Sequence, residues 1–468
     1  MTQSLTLLRL ILLMTGTLLV PLSQASAHNV LLMISDNQTW HDVGCYGNNV
    51  VQTPNIDQLA HDGVRFRQAF ATTASCGPSR AVIYSGLLTH RNGQYAHPHA
   101  EHNQEIRPDV VTVFERLKSN GYRTGLIGKD HTRPQEKYPI DFKPRGSSRD
   151  VVWMAKQAEQ FLNASEDPFL LVLSFSDPHP TSREGVGWGV KQQIEGYTPQ
   201  TYDPSKVFVP GFLPDTLDVR ESIAGYYQQI SRMDHGVGLA LRALEKTENA
   251  DDTLVIFISD HGTSEPGAMA THYEPGVRVP FIVRSPKGKA GHVNEALVAF
   301  TDITPTILDW TETEYDTKKL HGRSILPILN SHEPKGWDSA LLSHVGHDVF
   351  AQYPMRTLRE RQFKLIWNVT WQAEYPLPID TFERRLWAGI RSNNSKMLGP
   401  RTVEQFLHRP QLELYDLDND PWETNNLAAT PEHQVKKQEM ITDLMQRLTA
   451  QDDPWLRKYS PELSSQAE

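Results

Sequence analysis

The sequence predicts an α/β protein, with helices covering both faces of a central sheet and a smaller α+β part at the C-terminal end. Three observations predict it. Short apolar runs of strand length alternate with amphipathic helical stretches through most of the chain, the pattern of a sheet buried on two sides. Four of those runs end on Asp, Asn, Lys or His, and open α/β sheets bind ligands beyond the carboxyl ends of their strands. After about residue 340 the apolar runs shorten and read as a small antiparallel sheet followed by a helix.

The first 27 residues stand apart. They carry one charge, Arg9, then an apolar run from Leu10 to Leu22 broken by Thr15-Gly16-Thr17, then Ala25-Ser26-Ala27. That is the pattern of a signal peptide cleaved after Ala27, and the run is short for a membrane span. The expected organisation is therefore a signal peptide at 1–27, a catalytic domain at 28–340 and a C-terminal subdomain at 341–468. The expected location is secreted or periplasmic (lysosomal in a eukaryote), with no membrane attachment after cleavage.

The chain has 56 acidic and 46 basic residues, a net charge of −10 that becomes −11 once Arg9 is removed. Proteins that bind polyanions over a broad surface are basic, so nucleic acid is an unexpected partner and any anionic substrate must be held by a local cluster. Only Cys45 and Cys76 are present. An exported protein can pair them, but a chain of this length does not need such a staple, which leaves room for a chemical role.

The four strand-like runs follow in order. Val30 to Ile34 leads to Asp36-Asn37, and Thr124 to Ile127 leads to Lys129 and His131. Phe169 to Phe175 leads to Asp177 and His179, and Leu254 to Ile258 leads to Asp260-His261. One such ending arises easily by chance, as a helix cap or turn residue; four together indicate one shared site. Cys76 precedes Pro78-Ser79-Arg80. Proline favours the first turn of a helix, so Cys76 is expected at or just before a helix N-terminus, where free amides attract an anion. In the C-terminal part, Phe363 to Trp367 and Leu412 to Tyr415 read as strands, and about Glu432 to Leu448 as the terminal helix.

The run Cys76-Gly77-Pro78-Ser79-Arg80 resembles the signature of the type I, formylglycine-dependent sulfatases. Asp36-Asn37, Gly128-Lys129-Asp130-His131, Asp177-Pro178-His179, Ser259-Asp260-His261-Gly262 and Leu414 to Pro421 are similar to that family's other motifs in order and spacing. The resemblance covers nearly the whole mature chain. It implies an alkaline-phosphatase-like fold with a mixed, mostly parallel sheet. It also implies oxidation of Cys76 to formylglycine (3-oxoalanine) by a formylglycine-generating enzyme, and attack of the hydrated aldehyde on sulfur. One Ca2+ ion, in preference to Mg2+, would be held by Asp36, Asn37, Asp260, His261 and the modified Cys76. Arg80, Lys129, His131 and His179 would be catalytic, Lys129 on a sulfate oxygen and one of the two histidines as acid to the leaving group.

Within the family, the stretches 198–204, 232–238, 301–310, 353–356 and 376–380 resemble the heparan N-sulfatases, or sulfamidases. The expected substrate is a sulfated saccharide, with glucosamine N-sulfate leading and an O-sulfate of another polysaccharide as the alternative. The histidine-rich loop His90, His97, His99 and His102, together with His272, His347 and Asp348, supplies candidate substrate contacts. Oligomeric state is open.

Two positions depart from the family pattern. Asn37 replaces the usual second acid, and Met269 stands where the family commonly has a basic residue four positions before Tyr273. They keep a non-catalytic, glycan-binding relative in play. A phosphohydrolase of the same superfamily would need two sets of metal ligands, and one set is legible here.

Overall fold

Seven strands form the central sheet: β1 (Asn29–Ser35), β2 (Val64–Phe70), β3 (Arg123–Gly128), β4 (Phe169–Ser174), β5 (Thr253–Ser259), β6 (Phe281–Arg284) and β7 (His292–Ala299). Their spatial order is β3-β4-β1-β5-β6-β2-β7. All run parallel except β6, which is antiparallel to both neighbours. The computed structural model describes residues 28–180 and 193–456; the expected signal peptide lies outside the described residues.

Strands β1, β4 and β5 are buried along their whole length, which is why they read as unbroken apolar runs rather than alternating ones. Their alternate side chains feed two cores. Leu32, Ile34, Val172 and Ile256 face one, with Phe114 and Ile307. Leu31, Met33, Leu171 and Phe257 face the other, with Met154, Phe161 and Met233 from the helices Val151–Leu162 and Leu217–Glu245. Burial on both faces fixes strand register, because a one-residue slip would exchange the two sets, and register fixes where each strand ends.

A second sheet is antiparallel, with four strands: β8 (Ser339–Gly346), β9 (Gln352–Glu360), β10 (Phe363–Asn368) and, at its far edge, Leu412–Asp416; Met397–Leu398 and Arg401–Thr402 pair as a small two-stranded sheet. The helix Gln434–Ala450 covers one face through Met440, Leu444 and Leu448, packed on Leu358, Leu365, Trp367 and Leu414. The sequence places β10, the edge strand Leu412–Asp416 and the helix within two residues. It does not reveal β2, β6, β7, β8 or β9, whose runs carry charged or polar residues that blur the apolar signal. Among the described residues, no helix is long and apolar enough to cross a membrane.

Candidate active site

Five segments converge at the carboxyl end of the parallel strands. Asp36 follows β1, and its amide donates to the carbonyl of Asp177 beyond β4 at 3.0 Å. Asn37 has a positive φ of 68°, a left-handed conformation that Asn and Asp tolerate better than most residues. Lys129 follows Gly128, whose φ is 104° and where a Cβ would fall 2.1 Å from the Ser174 carbonyl; only glycine lets the chain turn so close to β4. Asp260 and His261 follow β5. Cys76 opens the helix Cys76–Ser85, where the proline at its third position places it.

These side chains form a buried cluster. Ligand atoms of Asp36, Cys76, Asp260 and His261 all lie within 4.8 Å of one another. Cys76 Sγ is 3.1 Å from His261 Nε2, 3.7 Å from Asp36 Oδ1 and 3.9 Å from Asn37 Oδ1. The Asn37 amide is fully buried and its Nδ2 has no hydrogen-bond partner among the described residues. His261 Nδ1 lies 2.8 Å from the Gly262 carbonyl; donation there leaves the Nε2 lone pair facing the cluster. Arg80 donates to Asp260 Oδ2 through Nε at 3.2 Å and Nη2 at 2.9 Å, and to Ser174 Oγ at 2.6 Å. Lys129 pairs with Asp36.

The electrostatics follow from this pairing. Burial alone would raise the Asp36 carboxyl, but Lys129, His179 and Arg80 outweigh it and hold the group well below the usual carboxylate range. Burial opposes the charge on Lys129, yet Asp36 and Cys76 keep its pKa raised. Burial pushes the Cys76 thiol well up. Two carboxylates thus balance two cations. Two carboxylates, the Asn37 amide oxygen and one imidazole form a compact, mostly oxygen donor set that fits a dication, and such an ion would leave the cluster positive toward an anion.

The cluster forms one end of a pocket of about 380 Å³. Cys76, Lys129, His131, His179, His99 and Asp348, all expected from sequence, line it, as do His97 and His102 from the histidine-rich loop. His179 Nδ1 lies 3.0 Å from the Pro180 carbonyl, and its Nε2 lies 3.9 Å from Asp380 Oδ1. Burial, then Lys129 and His97, push His131 well below the usual imidazole pKa. Burial also lowers His179, but Asp380 pulls it back up.

Three expectations are corrected. His272 does not line the pocket: it is fully buried, with Nδ1 2.7 Å from Thr357 Oγ1 on β9. His90 is turned away, hydrogen-bonded to Ser343 and stacked on His321. His347 lies behind the surface, fully buried against His97. Met269 is buried too, its carbonyl accepting from Tyr375. Cys45 and Cys76 are both free.

Four charged lining residues were given no site role from sequence: Arg149, Asp380, Glu383 and Arg384. Arg149 donates to Asp177 Oδ1 at 2.7 Å and to the Pro180 carbonyl at 3.1 Å. With Lys129 it and Arg384 are the cations of the lining. None follows an apolar run, so no strand-end signal marks them.

Comparison with known proteins agrees with this geometry. A family model described as Sulfatase matches residues 28–313, and one described as N-sulphoglucosamine sulphohydrolase, C-terminal, matches residues 269–381. The chain is 34% identical to human N-sulphoglucosamine sulphohydrolase, covering 94% of this chain and 93% of that protein. It is 29% identical to an ulvan-active sulfatase of Formosa agariphila, covering 91% and 80%. Among solved structures, a protein in complex with its substrate D-glucosamine-2-N,6-O-disulfate superposes with a TM-score of 0.68 at 20% identity, covering 91% of this chain and 98% of that one. The phosphonate monoester hydrolase of Agrobacterium radiobacter gives 0.67 at 20% identity, covering 90% and 95%; these two establish the fold.

Proposed function

The chain belongs to the sulfatase family, and from that premise we propose that it releases sulfate from the N-sulfated glucosamine of a glycan, through an aldehyde made from Cys76. The observation that carries the chemistry is the surroundings of Cys76 Sγ: a helix N-terminus, two carboxylates, an amide oxygen, an imidazole, the buried Arg80 and the half-buried Lys129; the likeness to human N-sulphoglucosamine sulphohydrolase supports the substrate. The sulfur stands where the hydroxyls of the hydrated aldehyde would be. As a buried thiol it is held neutral, which makes it a poor nucleophile and supports prior conversion.

The steps assign themselves to the chain's own groups. One hydroxyl of the hydrate attacks sulfur and the bond from sulfur to the sugar nitrogen or oxygen breaks. His179 gives a proton to that leaving atom; Asp380 beside its Nε2 supports the protonated form, whereas His131 sits among cations and other rings. The second hydroxyl then loses its proton, re-forms the aldehyde and expels sulfate. Arg80 holds Asp260 in place, and Lys129 presents a point charge to a sulfate oxygen. We assign Ca2+ to Asp36, Asn37, Asp260, His261 and the modified Cys76; when bound it supplies positive charge to the sulfate and the nucleophile. The apolar run Leu10–Leu22 and Ala25-Ser26-Ala27 support export before action.

A second reading, hydrolysis of an O-sulfate on another polysaccharide, is favoured by the likeness to an ulvan-active sulfatase. A panel of defined sulfated sugars decides between them. Sulfate release from glucosamine N-sulfate supports the first; release from O-sulfated units with none from glucosamine N-sulfate rejects it in favour of the second.

A further inference from the structure

Beside the cluster at Cys76, the pocket wall holds two further groups of possible metal ligands that share His97: His97, His99 and His131, of which His99 is exposed, and His97, His347 and Asp348, all three buried. Ligand atoms of His97, His347 and Asp348 all lie within 4.8 Å of one another, and the three residues are 5%, 0% and 1% exposed. His97 Nε2 faces His347 Nε2 at 3.1 Å. Two imidazole nitrogens on one tetrahedral zinc, each at about 2.0–2.1 Å, stand roughly 3.3 Å apart. Asp348 Oδ1 is 4.0 Å from the same His347 nitrogen. Its Oδ2 accepts from the Ile379 amide at 2.9 Å, which orients the carboxylate as a supporting hydrogen bond orients a metal ligand.

We propose that His97, His347 and Asp348 form a zinc site in the pocket wall, separate from the cluster around Cys76. Two imidazoles and one carboxylate suit a borderline ion such as Zn2+, whereas the oxygen-rich cluster around Asp36 and Asp260 suits a hard one. Nδ1 of His97 and of His347 has no hydrogen-bond partner among the described residues. In the ion-free state His347 Nε2 donates to Asp380 Oδ2 at 3.4 Å, so binding an ion there moves that proton to Nδ1 or releases it, and a water at each Nδ1 would supply the acceptor that ligating histidines use. His97 and Asp348 line the pocket, which gives the ion an entry path. Asp380 Oδ2, 3.4 Å from His347 Nε2, lies on the pocket side and marks the fourth position. Without an ion, the same geometry is a hydrogen-bonded histidine pair, and the two descriptions differ in zinc uptake.

The test is zinc titration of the calcium-saturated protein by calorimetry, with X-ray absorption of the zinc-loaded protein. One equivalent of zinc should bind with calcium present, in a shell of two imidazoles and oxygen without sulfur. His347→Ala should weaken binding at least about 10-fold, and so should Asp348→Asn, which keeps the side chain's shape if the histidine variant does not fold. Asp36→Asn should leave zinc binding unchanged. No uptake in the presence of calcium, a sulfur neighbour to the zinc, or full uptake by folded His347→Ala or Asp348→Asn overturns the proposal.

Discussion

The strand ends of the parallel sheet and the loops around the antiparallel sheet both wall the same pocket, with different physics. At the strand ends, Asp36, Arg80 and Asp260 are at most 1% exposed, and Arg80 is tied to Asp260. On the other side, Asp380 and Glu383 are partly exposed while Asp348 and Arg384 are buried; Asp348 lies in the loop after β8 and the other three in the segment after β10. Fixed buried charges belong where charge develops during reaction, because they need no reorganisation. Adjustable polar groups belong where a sugar must be told from its relatives. Changes at the strand ends should therefore act on turnover and often on stability, and changes on the loop side mainly on substrate binding.

The largest expected effect is at the nucleophile. Cys76→Ala should lower sulfate release by about 10⁵-fold or more, with the folded state retained by circular dichroism. Next comes Asp260→Asn, which replaces the carboxylate that accepts from Arg80 Nε and Nη2 with an amide and leaves the buried guanidinium to Asp36 at 3.7 Å. It should destabilise the fold by roughly 3–5 kcal/mol, the cost of breaking a buried pair, read as a drop in denaturant midpoint along with lost activity. If stability is unchanged while activity falls, the strand-end charges are not the rigid element described here.

Smaller effects sharpen the contrast. Asp380→Asn removes the carboxylate that raises the His179 pKa against burial. An acid with a lower pKa loses its proton at lower pH, so the alkaline limb of the kcat/KM profile should move to lower pH in the variant. An unmoved limb would show that another group is the acid. Arg149→Ala should act least on chemistry. It should raise KM by about 10-fold, in line with one lost charged hydrogen bond, and leave kcat nearly unchanged; a fall in kcat with KM unchanged would move Arg149 to the catalytic side.

The same division explains what was legible in the sequence. Asp36, Lys129, His179 and Asp260 each follow an apolar run buried on both faces, so the strand announces the residue. The Cys76 helix start is fixed locally by Pro78. Asp380, Glu383 and Arg384 follow no such run, and Asp380 sits in the stretch Pro376–Asp380 that reads equally well as packing. His272 is expected at the site as the charge that Met269 does not supply, but β9 offers Thr357 as its partner, a contact set by tertiary structure alone. The antiparallel β6 is hidden because Phe281–Arg284 is only four residues long, too short for a strand period to register, and periodicity carries no information on direction.

Central to all of this is the chemical state of Cys76, and mass spectrometry of its peptide, from protein made in the native host, tests it most directly. The account predicts a residue in which the CH2SH side chain has become CHO. An unmodified cysteine in protein that still releases sulfate would contradict it.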